Sequence, residues 1–283
     1  VHGPNHNGGV QERRLDTSTN ASSPHVLFVL WDDYGWTGAG YHKQAEHDDP
    51  AEIRTPTLNK LVRSGIELDH HYVFYCCSPT RSSIQSGRNP IHVNVLNAEP
   101  EVWNSSSPDS AGAGMARNMT GIATKMAAGG YRTHFVGAQE WIVALLRTKF
   151  ACPGKWDAGM ATNEHTPRGR GYHTGLGYFH HENSYWTMKD TGRCNGTDMI
   201  DLWVAEEDGF EGPATGYVTS CAPNYNRTTG IGCAAGAKAT QADHGHEDRI
   251  FTGRVLDIIQ KHPLPQRLFM FWAPHLVHTS LMV

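Results

Sequence analysis

Residues 26–31 (VLFVLW) and residues 268–273 (LFMFWA) are each apolar without interruption. A strand with one wet face alternates apolar and polar positions, whereas an unbroken run of this length marks a strand covered on both faces. Doubly covered strands need helices on each side of a sheet, so the pair constrains the fold more than any other feature. No run in the chain approaches the roughly 20 apolar residues needed to span a bilayer.

The segments between these runs supply the helices. Thr55 is placed to cap a helix that starts at Pro56, carries Leu58, Leu61 and Val62 on one face and stops at Gly65. A strand is predicted over residues 66–73, a short helix over 120–129, and a strand over 131–136. The strongest helix covers residues 247–262, where Ile250, Phe251, Arg254, Val255, Ile258 and Ile259 recur at helical spacing until Pro263 ends it. Alternating strands and helices predict an α/β fold, a mostly parallel central sheet with helices on both faces. Residues 1–24 are polar and read as a flexible N-terminal tail. Residues 162–241, rich in Gly, His, Asn and Thr, are predicted to be long surface loops with short elements.

Composition narrows the partners. The net charge is −4 with 18% charged residues, and no basic stretch is long enough to track phosphates, so a nucleic-acid partner is not expected. The six cysteines, at 76, 77, 152, 194, 221 and 233, form no C-x-x-C pair and hence no zinc pattern. Cys194, Cys221 and Cys233 lie in the loop-rich region and are candidates for a disulfide whose partners the sequence does not assign. Five Asn-x-Ser/Thr sequons begin at Asn20, Asn104, Asn118, Asn195 and Asn226. Together they point to the secretory pathway, extracellular or lysosome-like, and to a glycoprotein. The chain opens on Val1 instead of Met, as after removal of a signal peptide or loss of the true start.

Chemistry concentrates in a few places. Asp32 and Asp33 follow the first apolar run directly, where parallel α/β sheets bind ligands. Adjacent carboxylates repel unless a cation neutralises them, and oxygen donors suit Ca²⁺ or Mg²⁺ better than zinc. Taken alone, the pair is better read as the opening of a solvated turn. The second constellation is Cys77-Ser78-Pro79-Thr80-Arg81, with Ser86-Gly87-Arg88 closing the same helix. Pro79 fixes the helix start, Arg81 is permanently charged, and a helix N-terminus favours an anion.

This second motif resembles the sulfatase signature C-x-P-x-R, and its neighbours stand in that family's order. They are Asp32-Asp33, the Thr-Pro-x-Leu helix at Thr55, Tyr131-Arg132-Thr133-His134, Gly154-Lys155-Trp156, and Val277-His278-Thr279. The resemblance spans roughly residues 25–283 and implies the N-terminal portion of a sulfatase catalytic domain, alkaline-phosphatase-like and lacking the C-terminal part. It implies that Cys77 is converted to formylglycine by a formylglycine-generating enzyme during maturation. Asp32, Asp33 and the modified Cys77 would hold a divalent cation, Ca²⁺ with Mg²⁺ as the alternative. Arg81 would stabilise the hydrated aldehyde, Lys155 would contact the sulfate, and His278 would serve the leaving-group oxygen as general acid. A sulfate ester is the implied substrate, attacked at sulfur by the formylglycine hydrate.

The chain departs from the family pattern in three ways. Asp157 stands where relatives carry the histidine that deprotonates the hydrate, and it is taken as the base here. Residues 138–153 intervene before Gly154, including the apolar run 141–146; a retained intron or gene-model error would account for them, and an uninterrupted coding exon would refute that origin. The chain ends at Val283, before the relatives' remaining metal ligands; Asp243-His244-Gly245 imitates those ligands only superficially. Two other functions compete with sulfate-ester hydrolysis. One is a phosphoesterase of the same superfamily, which Cys77 argues against because those relatives use Thr or Ser. The other is a truncated, inactive sulfatase-like fragment. The 18 histidines are read mainly as solvated or scaffolding residues, His70-His71 and His180-His181 included, with His134 packed within the sheet. Trp186 and the loop before it are left as either pocket or packing.

Overall fold

In the computed structural model the described residues are 23–42, 53–93, 114–137, 156, 158–159, 162–179, 183–185, 188, 201–214 and 247–278. They form one six-stranded sheet. Its strands are β1 (Val26–Val29), β2 (Tyr131–Gly137), β3 (Thr174–Gly177), β4 (Trp203–Ala205), β5 (Glu211–Pro213) and β6 (Arg267–Ala273), in spatial order β1-β6-β2-β3-β4-β5. The first four in that order run parallel, and β4 and β5 continue the sheet antiparallel. The two apolar runs are therefore neighbours, with Val26 opposite Phe269 and Val29 opposite Trp272.

Alternation along β6 explains why its whole length is apolar. Leu268 and Met270 enter one core cluster with Val136, Leu176, Leu202 and the α4 (Glu247–Lys261) residues Ile250, Phe251, Val255 and Ile258. Phe269 and Phe271 enter the other, with Phe135, Trp156, Tyr172 and Ala123 of α3 (Ile122–Ala128). Helices thus cover both faces, and each face excludes water with a separate apolar layer. The two central strands approach closely at their carboxyl ends. A Cβ on Gly137 would lie 2.0 Å from the Ala273 carbonyl oxygen, so only glycine fits there.

Several expectations are corrected. The first apolar run is not covered on both faces: β1 is an edge strand of the described sheet, none of its residues is fully buried, and Leu27 is 48% exposed. Residues 66–73 form no strand; the segment is a turn and irregular chain, with Ile66 91% and Tyr72 81% exposed. Among the described residues it pairs with no strand, so its β-branched and aromatic content joins no ladder there. Residues 162–179 are far from a surface loop: they contribute β3, all of it buried, and the buried side chains His165, Arg170 and Tyr172. Small residues, which sequence reading takes for loop, serve here to let backbone pack closely. α1 (Pro56–Ser64) forms where expected, but the Thr55 hydroxyl donates to Asn59 Oδ1 (2.7 Å) and accepts from the Gly40 amide (2.8 Å) without capping the helix. His134 is buried in the sheet as expected, its Nδ1 2.7 Å from Thr174 Oγ1. Burial pushes its pKa down to about 3, so the ring is neutral. The tail's residues 1–22, residues 138–153, Asp243-His244-Gly245, His180-His181 and Trp186 lie outside the described residues. No described helix is long and apolar enough to cross a membrane.

Candidate active site

The site opens at the carboxyl ends of β1 and β6. The parallel register extends one step beyond β1, where the Leu30 amide donates to Trp272 O (2.9 Å), so the loops after both strands leave side by side. Asp32 and Asp33 lie on one, His278 on the other. Asp33 has φ 51°, a left-handed conformation that a short polar residue tolerates. Its amide donates to Asp32 Oδ1 at 3.1 Å. The sharp turn sends the two carboxylates different ways: Asp32 toward the α2 (Cys77–Ser86) N-terminus, Asp33 toward His278.

On the α2 side, Cys77 Sγ lies 3.9 Å from Asp32 Oδ1, and Arg81, one turn later, reaches Asp32 Oδ2 at 3.5 Å. Cys77 is 8% exposed and Arg81 2%. The helix is fixed at several points. Thr80 Oγ1 donates to the Phe74 and Cys76 carbonyls (2.8 and 2.6 Å), and Tyr172 donates its hydroxyl to buried Gln85 (3.0 Å). Gly87, at φ 66°, ends it, its amide N–H donating to Ser83 O (2.7 Å). Burial pushes the thiol of neighbouring Cys76 up, leaving Cys76 less ready to ionise than an ordinary cysteine.

On the other side, His278 Nε2 lies 3.3 Å from Asp33 Oδ2, and the imidazole is fully buried. Its loop is gripped by the start of α4. Asp248 accepts the His275 amide (2.6 Å) and the Leu276 amide (2.8 Å). Glu247 pairs with His275 Nδ1 at 2.7 Å and accepts from Asn183 at 2.7 Å. Tyr185 donates its hydroxyl to the carbonyls of His275 (3.0 Å) and His278 (2.8 Å), its ring stacked on His275 at 3.6 Å.

Five expected residues, Asp32, Asp33, Cys77, Arg81 and His278, therefore meet. Lys155 and Asp157 lie outside the described residues. Trp156 between them is 2% exposed, donates its indole N–H to His165 O (2.5 Å) and packs edge-on to Phe135 at 5.1 Å. Its flank is tied by the Met115 amide, which donates to Ala158 O at 3.0 Å.

The sulfatase family model matches residues 24–281. The chain belongs to the sulfatase family. Mouse arylsulfatase J is 27% identical over 96% of this chain and 35% of its own length. Rat arylsulfatase G is 28% identical over 58% of this chain and 26% of its own. The chain thus spans about a third or less of these curated relatives. Among solved structures, Ps i-CgsB in complex with k-i-k-neocarrahexaose superposes at TM-score 0.60 with 16% identity, over 92% of this chain and 46% of that one. PsFucS1 sulfatase from Pseudoalteromonas sp. gives 0.57 with 17% identity, over 91% and 44%. At that identity the likeness concerns the fold.

Among the described residues of this sulfatase, no group of three or more His, Cys, Asp or Glu side chains is gathered to hold a metal ion. The donors present do fit a hard cation in kind, because Asp32 and Asp33 offer carboxylate oxygens and an oxidised residue 77 would add oxygen in place of soft sulfur. They make up only part of the 6–8 oxygens that calcium takes. Sequence reading missed the supports behind His278, namely Glu247, Asp248, His275 and Tyr185. One signal was available: two acids at the first turn of the strongest helix, the position where a helix end can accept backbone amides from a loop.

Proposed function

We propose that this chain is the nucleophile-bearing portion of a formylglycine-dependent sulfuric ester hydrolase of arylsulfatase type. The observation that carries the reading is the meeting of Cys77, Asp32 and Arg81 at one helix N-terminus, with the Asp33–His278 pair beside them. Family membership supports the reaction class. The formylglycine made from Cys77 supplies a hydrated aldehyde as nucleophile toward sulfur. A divalent cation, Ca²⁺ or Mg²⁺, held by Asp32, Asp33 and modified residue 77, would supply Lewis-acid neutralisation of sulfonyl charge.

The chain's own residues do the rest. Arg81, permanently charged and buried against Asp32, fixes that carboxylate and faces the anionic reaction centre. The α2 N-terminus adds its dipole to the sulfate-binding position. Lys155 would contact the sulfate, and Asp157 would serve as the base that accepts a proton at residue 77. His278 gives a proton to the departing alcohol oxygen, its ring oriented by Asp33. The chain folds within a domain over residues 25–283, is secreted or lysosome-like, and meets a formylglycine-generating enzyme during maturation.

Peptide mass spectrometry across Cys77 in the native cell tests the proposal. Formylglycine or its hydrate is the expected species, with hydrolysis of an aryl sulfate far ahead of the matching aryl phosphate. An unmodified Cys77 thiol would leave no nucleophile and overturn it. The inactive-fragment reading draws on the partial donor set, and a thermal shift separates the two. Stabilisation by millimolar Ca²⁺ favours the enzyme, and none favours the remnant.

A further inference from the structure

Of the five sequons, Asn118-Met119-Thr120 is the one that lies within the described residues. It forms a turn just before α3, closed by the Met119 amide donating to Ala116 O at 3.0 Å. The turn is held from inside by Arg170, which is 4% exposed. The Arg170 guanidinium donates to the carbonyls of Ala116 (3.0 Å), Arg117 (3.4 Å), Met119 (3.2 Å) and Met115. Four carbonyls turned onto one buried cation fix which way the intervening side chains face. Met119 packs against the cluster of Ala123, Phe135 and Tyr172, while Asn118 and Thr120 on either side of it are exposed.

We infer that Asn118 carries an N-linked glycan. The side-chain amide and the threonine hydroxyl, the two groups the sequon needs, face solvent together, and the apolar residue between them faces the core. Attachment therefore leaves the fold intact, because the anchoring is by backbone carbonyls and by Met119. The glycan also clears the proposed chemistry. The Thr120 carbonyl accepts from Arg88 Nη1 at 3.3 Å, which ties the sequon to the C-terminal end of α2. Cys77 is at the other end of that 10-residue helix, about 15 Å away at 1.5 Å per residue.

In the transfer, Asn118 Nδ2 forms a bond to the anomeric carbon of a lipid-diphosphate-linked oligosaccharide. The anomeric C–O bond to the diphosphate breaks, the diphosphate keeps the electron pair, and the amide loses one proton to solvent; nothing is oxidised or reduced. The inference rests on the secretory part of the proposed function and not on Cys77.

The test expresses the full chain behind a secretory leader in eukaryotic cells. Tryptic peptides are treated with an amide-cleaving de-N-glycosylase in heavy-oxygen water. The expected result is a labelled aspartate at position 118. Thr120→Val should abolish the label, and Thr120→Ser, which keeps the sequon, should retain it. An unlabelled Asn118 in secreted chain overturns the inference, whether or not Asn20, Asn104, Asn195 or Asn226 is labelled. So does a label that survives Thr120→Val. Formylglycine at residue 77 is read from the same digest, so a missing glycan and a missing nucleophile are distinguished directly.

Discussion

The two walls of the site are held by different means. The Cys77 wall rests on one helix whose own sequence contains the proposed nucleophile, a buried cation, a proline and, just past its end, a terminating glycine. The His278 wall rests on residues far apart in the chain, where Glu247, Asp248 and Tyr185 converge on a four-residue loop and Asn183 braces Glu247 from behind. The first wall is local chemistry mounted on a capped helix. The second is a buried polar network, whose members stabilise only when all are satisfied. Substitution of Cys77 in the first should therefore damage catalysis with little change in folding, and substitutions in the second should damage both.

The largest effect is expected at Cys77. Cys77→Ala removes the proposed nucleophile and should lower kcat for aryl sulfate by a factor on the order of a million, as for other essential nucleophiles. Its melting temperature should move by only a few degrees, since a small side chain is trimmed. Arg81→Ala comes next, with about a hundred- to thousand-fold loss of kcat. A Cys77→Ala protein that turns over substrate as well as the wild type would remove this wall from the chemistry altogether.

Glu247→Ala tests the second wall. It leaves His275, 1% exposed, without its carboxylate partner, and breaking a buried pair costs about 3–5 kcal/mol. Chemical denaturation should register that loss, and kcat should fall with it because the His278 loop loosens. Asp248→Asn keeps one acceptor for the loop amides and should cost about 1–2 kcal/mol. Loss of activity in Glu247→Ala at unchanged stability would erase the distinction between the walls.

The same contrast explains what the sequence disclosed. The Cys77 wall was legible because its parts lie within one helix, in fixed order, and Asp32-Asp33 follows a strand marked by an unbroken apolar run. The central strands were legible because residues covered on both faces must be apolar throughout. β3 was not, since Thr174-Gly175-Leu176-Gly177 is built of small residues that pack backbone to backbone. The network behind His278 was not legible, because polar residues brought together by tertiary packing leave no periodic trace. The 66–73 segment misled for the opposite reason: its composition favours a strand, and it joins no strand among the described residues.

Acid should weaken the molecule on both faces of the sheet. Burial lowers the pKa of His134 to about 3 and that of His165 to about 4, both below the ordinary 6.5. The folded state keeps these rings neutral while the unfolded chain takes up protons as pH falls below 6.5. Their contribution is thus fully present above that pH and is lost as pH drops toward 4 and then 3. Each such histidine steepens the decline by up to about 1.4 kcal/mol per pH unit. His134→Asn, which can keep the bond to Thr174, should flatten the melting-temperature profile below pH 6. An unchanged profile would show that His134 does not hold off protonation in the fold.

The smallest effect sharpens the comparison from outside the site. α1 and α4 are both amphipathic, yet α4 buries Ile250, Phe251, Val255 and Ile258, while α1 buries none of its residues. Leu61, on the apolar face of α1, is 62% exposed. A leucine already in water loses little when replaced, so Leu61→Ser should change stability by no more than about 0.5 kcal/mol. Ile250→Ala, at a position with no exposure, should cost about 2–5 kcal/mol in the same denaturation assay. Equal costs at the two positions would mean that the apolar face of α1 is covered in solution, and that amphipathic spacing alone had correctly foretold its burial.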